Sequence, residues 1–164
     1  MKCQAYAGVA PLSSTIRHQR MATVRRSVAT LRIAGDELRP DLITEALGHE
    51  PTLAQTKGET LVGKKTGILR IAKFGMWRLA ASEREPADLD SQVAEILSKL
   101  TSDLAVWRSI SSAYSIDLFC GLFMDQSNEG LGLSPSTLAD LGNRGIELGL
   151  DIYSGPDEQC LAAH

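Results

Sequence analysis

Apolar residues recur along this chain with two periods, and the periods mark out its elements. In SVATLRIA, Ser27 to Ala34, Leu31 and Ile33 point one way and Thr30 and Arg32 the other, the pattern of a half-buried strand. Gly35 and Asp36 turn the chain into LRPDLITEALG, where Leu42, Ile43, Ala46 and Leu47 form the apolar stripe of a helix. Pro40 suits the first helical position, where its missing N–H is not needed, and Gly48 can take the left-handed conformation that ends a helix. Residues 49–60 read as a loop set off by Pro51 and Gly58. Two short strands follow, near 67–73 and 76–81, joined at Phe74-Gly75.

The strongest periodicity runs from Asp88 to Ser112. Leu89, Val93, Ile96, Leu97, Leu100, Leu104, Trp107 and Ile110 recur at steps of three and four. This predicts one long amphipathic helix of ~35 Å, capped by Asp88, with Trp107 a core residue. SIDLFCGLFM, Ser115 to Met124, is apolar on both faces and reads as a central strand. A second compact helix lies in SPSTLADLGNRG, with Ser134 as cap, Pro135 at its first position and Gly142 or Gly145 at its end. The last strand, Ile146 to Tyr153, alternates cleanly, with Ile146, Leu148, Leu150 and Ile152 inward.

The predicted order is β-α-β-β-α-β-α-β. It implies an α+β fold, a mixed or antiparallel sheet with helices packed on one face, ferredoxin-like with additions. At 164 residues, with 43% hydrophobic and 23% charged residues, the chain has the size and composition of one globular domain spanning residues 27–154. The net charge is −3, but residues 1–26 carry Lys2, Arg17, Arg20, Arg25 and Arg26 with no acid. The remainder is therefore more acidic than the whole and repels nucleic acid and anionic membrane. The acid-free head reads as a poorly ordered extension, with Met21 as a natural start, and residues 155–164 as a tail.

Candidate chemistry is sparse. Cys3, Cys120 and Cys160 are odd in number and far apart, and His18, His49 and His164 are equally scattered. No disulfide framework, metal site or cofactor is implied, and the thiols point to a reducing, cytoplasmic setting. No apolar run is long enough to span a membrane. GETLVGKKTG, residues 58–67, has the G-x-x-x-x-G-K frame of a phosphate loop. A second lysine stands where Mg²⁺ needs Ser or Thr, however, and Gly67 opens a strand rather than a helix. A polar turn explains the same letters. There is no G-x-S-x-G elbow, and Cys120 reads as a small buried residue in mid-strand.

IAGDELRPDLITEALGHEPT, then KGE at Lys57–Glu59, GMWRL at Gly75–Leu79, and LSPSTLADLGNRGIELGLDIY occur in the order found in a bacterial family of unknown function. From about Val28 to Tyr153 the chain resembles the domain-of-unknown-function family 4279. The resemblance implies a single cytoplasmic bacterial domain that starts near Met21, and it implies no activity.

Two functional expectations follow. If the helices cover one sheet face, the other displays Arg32, Asp117, Phe119, Phe123, Glu147, Asp151 and Tyr153. Aromatics interleaved with carboxylates suit a protein partner or self-association rather than RNA, which calls for lysine and arginine around the rings. The first expectation is thus a non-catalytic interaction module, with a basic partner such as a toxin and an immunity-type role within that class. The second is a small anionic-ligand-binding or enzymatic domain, with a pocket near the 49–66 loop lined by Lys57, Trp77 and Arg78.

Overall fold

The computed structural model describes residues 23–63 and 67–155. The predicted disorder of residues 1–22 and the tail beyond Gly155 lie outside the described residues. Arg25 and Arg26, assigned to the basic head from charge alone, belong to the folded body. Arg25 pairs with Glu85 and Asp125, both at 3.1 Å, and Arg26 pairs with Glu83 at 3.0 Å.

The first strand, β1 (Arg26–Gly35), runs through the middle of a five-stranded sheet. Helix α1 (Pro40–Leu47) begins with Pro40 in its first turn and ends at Gly48, whose φ of 79° is the left-handed geometry expected there. Three short strands follow: β2 (Leu53–Gln55), β3 (Thr60–Val62) and β4 (Leu69–Ile71). The loop expected over 49–60 thus contains an edge strand, too short to carry an alternation signal. Strands β3 and β4 pair as a separate hairpin. The phosphate-loop letters therefore straddle a strand and its turn, and β4 rather than a helix follows them.

Strand β5 (Gly75–Ala80) pairs with β1, and after it come two helices where one was predicted. Helix α2 (Leu89–Leu97) is capped by Asp88, whose side chain accepts from Ser91 N–H at 3.0 Å. Helix α3 (Leu104–Ala113) has its own cap, Asp103, which accepts from Ala105 N–H at 2.8 Å. The break at 98–103 is a competition that capping wins. Thr101, Ser102 and Asp103 are three capping residues in succession, and such side chains offer backbone N–H groups a partner outside the helix. The apolar stripe continues across the break because both helices face the same core. Trp107 is fully buried and donates from its ring N–H to the Thr101 carbonyl at 2.9 Å.

Strand β6 (Ser115–Phe123), helix α4 (Pro135–Asn143) and strand β7 (Glu147–Tyr153) complete the fold. The sheet order is β2-β5-β1-β6-β7. Because β1 is antiparallel to both β5 and β6, those two run parallel with β1 between them. The unit β5–α2–α3–β6 is thus a split βαβ, one half of a ferredoxin-like arrangement. The other half departs from it, since β6 and β7 are directly adjacent and parallel. The fold is α+β.

All four helices lie on one side of the sheet. Leu31, Ile33, Trp77, Leu79, Ile116 and Leu118 point into the core beneath them, with Ile43, Leu47, Val93, Ile96 and Trp107 opposite. A polar pair is sealed within this layer. Ser27 Oγ donates to Gln92 Oε1 at 2.7 Å, and Gln92 Nε2 donates to the carbonyls of Ser27 and Ser82. One expectation fails at the β7 edge. Leu150 and Ile152 share the helix-side face but remain 48% and 58% exposed, in an open groove that Leu138 of α4 lines without covering them.

Candidate functional site

Among the described residues no helix covers the second face of the sheet. Strand alternation sends Val28, Thr30, Arg32 and Ala34 to that face from β1, and Met76, Arg78 and Ala80 from β5. The strand registers align Leu53, Arg78, Arg32, Asp117 and Glu147 in one row across all five strands. Read from β2 to β7, the charges in this row are two arginines followed by two acids.

The middle of the row is self-satisfied. Arg32 Nε donates to Asp117 Oδ1 at 3.0 Å and Oδ2 at 3.1 Å, and its Nη2 also bonds Oδ2. The hydrogen bond to Asp117 raises the Arg32 pKa, and the guanidinium lies 4.4 Å from the Phe119 ring centre. A second row is closed in the same way. Arg26 sits 3.6 Å over Phe123, Phe123 stacks on Tyr153 at 4.7 Å, and Tyr153 Oη donates to Asp151 Oδ2 at 2.6 Å. That bond is the main reason the Tyr153 phenol titrates above its ordinary value. The six residues assigned from sequence to a partner face, Arg32, Asp117, Phe119, Phe123, Asp151 and Tyr153, thus share one floor in two separately closed clusters, Arg32–Asp117–Phe119 and, with Arg26, Phe123–Tyr153–Asp151. Its aromatic rings are capped by arginines, a compensation that strand alternation alone does not reveal.

The three residues assigned to a ligand pocket are not brought together. Trp77 is fully buried on the helix side and donates from its indole N–H to Thr44 Oγ1 at 3.1 Å. Arg78, its neighbour in β5, faces the opposite way. Lys57 pairs with Asp36 at 2.6 Å in a separate surface depression beside Glu37 and Thr56. Adjacent strand residues face opposite sides, so Trp77 and Arg78 cannot line one pocket.

Arg78 lacks the compensation found at Arg26 and Arg32. Among the described residues its Nε donates to a weak acceptor, Met76 Sδ at 2.6 Å, and no carboxylate pairs with it. Burial lowers its pKa first, followed by repulsion from Arg32 and Arg70, while Asp117 is too distant to offset these. The β3–β4 hairpin leans over this end of the sheet. Leu61 and Arg70 share a cavity of about 240 Å³ with Gln55, Met76 and Arg78. Phe74 and Met76 connect it to a larger depression of about 570 Å³ that runs past Arg32 and Tyr114 to Asp117 and Glu147. The result is a continuous cleft, cationic at the hairpin and acidic at β7.

Arg70 and Lys73 at the cationic end have no acidic partner among the described residues. The signal that finds them is the run from Thr60 to Ser82, which carries Lys64, Lys65, Arg70, Lys73 and Arg78 and no acid in a chain of net charge −3. The outward face of the hairpin is apolar, with Val62 63% and Ile71 68% exposed. Cys120 lies on the helix side, fully buried, and burial pushes its thiol pKa up to about 12, which leaves it unreactive. Among the described residues no group of three His, Cys, Asp or Glu side chains could hold a metal ion, and no helix is long and apolar enough to cross a membrane.

Residues 23–155 match a family described as a domain of unknown function, DUF4279. This chain belongs to the DUF4279 family. The match spans every strand and helix of the domain, so the uncovered face and its cleft fall inside the DUF4279 unit. No curated protein and no solved structure matches the chain.

Proposed function

We propose that this DUF4279 chain is a cytoplasmic, non-catalytic recognition module. Its open sheet face and overhanging hairpin receive a segment of a partner protein that carries both acidic and apolar side chains. The observation that carries this reading is Arg78, a partly buried guanidinium with no carboxylate partner among the described residues, crowded by Arg32 and Arg70. An uncompensated charge of this kind costs stability, and a carboxylate from outside would relieve that cost and form charge-assisted hydrogen bonds. The exposed apolar Leu53, which lies beside Arg78 in the same row, favours a polypeptide over a small ion, because it extends the contact beyond the charge.

The two internally bonded clusters, Arg32–Asp117–Phe119 and Phe123–Tyr153, then serve as a rigid floor in which the Arg32 and Asp117 charges are spent on each other. The partner chemistry is thereby the reverse of the basic partner that net charge suggests. An immunity-type role belongs to the same class and would place an acidic, apolar segment of a toxin in the cleft.

The test is a displayed library of short peptides varied in acidity and hydrophobicity, read against the native chain and against Arg78→Met. Selection of acidic, apolar peptides, with binding lost in Arg78→Met and weakened by salt, supports the reading. A thermal shift with simple carboxylates or phosphates, and no peptide selection, would move the function to small-anion binding at the same arginine.

A further inference from the structure

Among the described residues strand β7 ends the sheet, and ELGLDIY contains no lysine, no proline and no bulge; its two charges, Glu147 and Asp151, lie on the face away from the helices. The bond from Met124 N–H to the Tyr153 carbonyl, 3.0 Å, turns the backbone of Tyr153 toward β6. Alternation turns Glu147, Gly149 and Asp151 the same way, so the N–H and C=O groups of Leu148, Leu150 and Ile152 face outward. The side chains of these same three residues form the half-covered apolar stripe on the helix side. Leu150 and Ile152 line a groove of about 380 Å³ with Leu122, Leu131 and Leu138. Leu138 itself is 51% exposed.

We infer that β7 pairs with β7 of a second copy of this chain, antiparallel about a two-fold axis through Leu150, which joins the two sheets into one of ten strands. The charge pattern selects this partner and this register. With Leu150 opposite Leu150 of the partner copy, Leu148 meets Ile152, Gly149 meets Asp151 and Glu147 meets Tyr153. The apolar stripe becomes continuous, each acid faces a glycine or a tyrosine, and the outward-turned backbone groups pair at Leu150 and at Leu148–Ile152. A slip by two residues in one direction sets Asp151 opposite Asp151, and in the other sets Glu147 opposite Asp151. Like charges directly opposite each other are unfavourable. A slip that offsets the pairing by a single residue puts apolar side chains opposite the charged face. Registers centred on Leu148 or Ile152 also keep the acids apart but pair only one end of the strand, 147–149 or 151–153, so the register centred on Leu150 alone avoids these faults and pairs the whole of β7. The contact is independent of the cleft at Arg78 and tests separately from it.

The experiment is sedimentation velocity on the full chain over a concentration series, beside Leu150→Lys/Ile152→Lys and Leu150→Pro. The native chain is expected at twice the chain mass. Both variants are expected at the monomer mass with unchanged circular dichroism, since neither the Leu150 N–H nor these two side chains serve the β6–β7 ladder. Register is read with a short thiol cross-linker in a Cys3→Ser/Cys160→Ser background. Leu150→Cys is expected to link to itself, whereas Leu148→Cys links only when mixed with Ile152→Cys. A native monomer throughout the series, a dimer indifferent to both edge variants, or self-linking at residue 148 overturns the inference.

Discussion

Trp77 and Arg78 are consecutive in β5 and occupy opposite worlds. The indole is fully buried among the helices and bonded to Thr44, while the guanidinium lies in the open cleft with no acid among the described residues to pair it. Strand alternation alone produces this division. It separates a residue that holds the fold from a neighbour whose charge the fold leaves uncompensated.

That separation makes Arg78→Met the most informative single substitution. Methionine keeps much of the apolar stem and removes a charge repelled by Arg32 and Arg70. Thermal stability is expected to stay level or rise by up to ~1 kcal/mol, while peptide binding falls by about tenfold. A stability loss of several kcal/mol in calorimetry would make Arg78 a structural residue and remove it from the site.

Most of the fold was legible in the sequence because burial on one side of a sheet imposes a period of two, and burial under a helix a period near 3.6. Strands β1, β6 and β7 and helices α1 and α4 fall where their periods and caps place them. The single long helix predicted over Asp88–Ser112 fails because periodicity reports which face is apolar, not whether the backbone between turns is continuous. The break was written in Thr101-Ser102-Asp103, a capping signal that the continuous stripe overrode. The site was less legible. Alternation placed Arg32, Asp117, Phe119, Phe123, Asp151 and Tyr153 on one face, but their mutual compensation depends on register across strands distant in sequence. The cationic end of the cleft was visible only as an absence, the acid-free run from Thr60 to Ser82.

Trp77 on the other side should behave as a core residue. Trp77→Ala is expected to cost about 3–5 kcal/mol in chemical denaturation, from lost volume and the cavity left behind. Trp77→Phe should cost less, about 1–2 kcal/mol, with part of that from a Thr44 hydroxyl left without its donor. Equal losses for the two variants would mean that the ring volume phenylalanine restores contributes nothing, and that the cost lies in what both variants lose, the indole N–H bond to Thr44 included.

The Ser27–Gln92 pair is the polar element most sensitive to incomplete removal. Both residues are fully buried, and each satisfies the other together with backbone groups of β1 and residue 82. Ser27→Ala leaves Gln92 Oε1 without a donor and should cost about 1–3 kcal/mol. A double-mutant cycle with Gln92→Leu should return a coupling energy well above zero, since removing both partners costs less than the two single losses combined. Strict additivity would indicate that water replaces the missing partner.

Gly75 is a position where backbone leaves no room for a side chain. A Cβ there would lie 2.5 Å from the Leu38 carbonyl oxygen and 3.1 Å from that of Gly35, both backbone atoms at the turn into α1. Gly75→Ala must therefore displace the β1–α1 connection and is expected to destabilise by more than ~2 kcal/mol, with loss of the β5–β1 amide protection nearest Gly35. An alanine variant with native stability and native exchange at that end of β1 would mean the connection shifts at no cost.

The acid limb of the stability curve should report Asp88. Its carboxylate accepts from the Ser91 hydroxyl and from Ser91 N–H at 3.0 Å, and these bonds hold its pKa below the ordinary 3.8. A carboxylate depressed in the folded state binds its proton more readily when unfolded. Its contribution is therefore fully present above pH 3.8 and is lost as the pH falls through the lower folded-state value. Asp88→Asn keeps an oxygen to cap α2 but cannot titrate, so its stability should fall less steeply than the native chain's below that pH. Asp88→Ala removes the cap itself and should cost about 0.5–2 kcal/mol at neutral pH. Urea denaturation followed from pH 7 down to pH ~2.5 separates the two effects. An Asp88→Asn curve that parallels the native one throughout the acid range would mean that Asp88 titrates alike in the folded and unfolded chain.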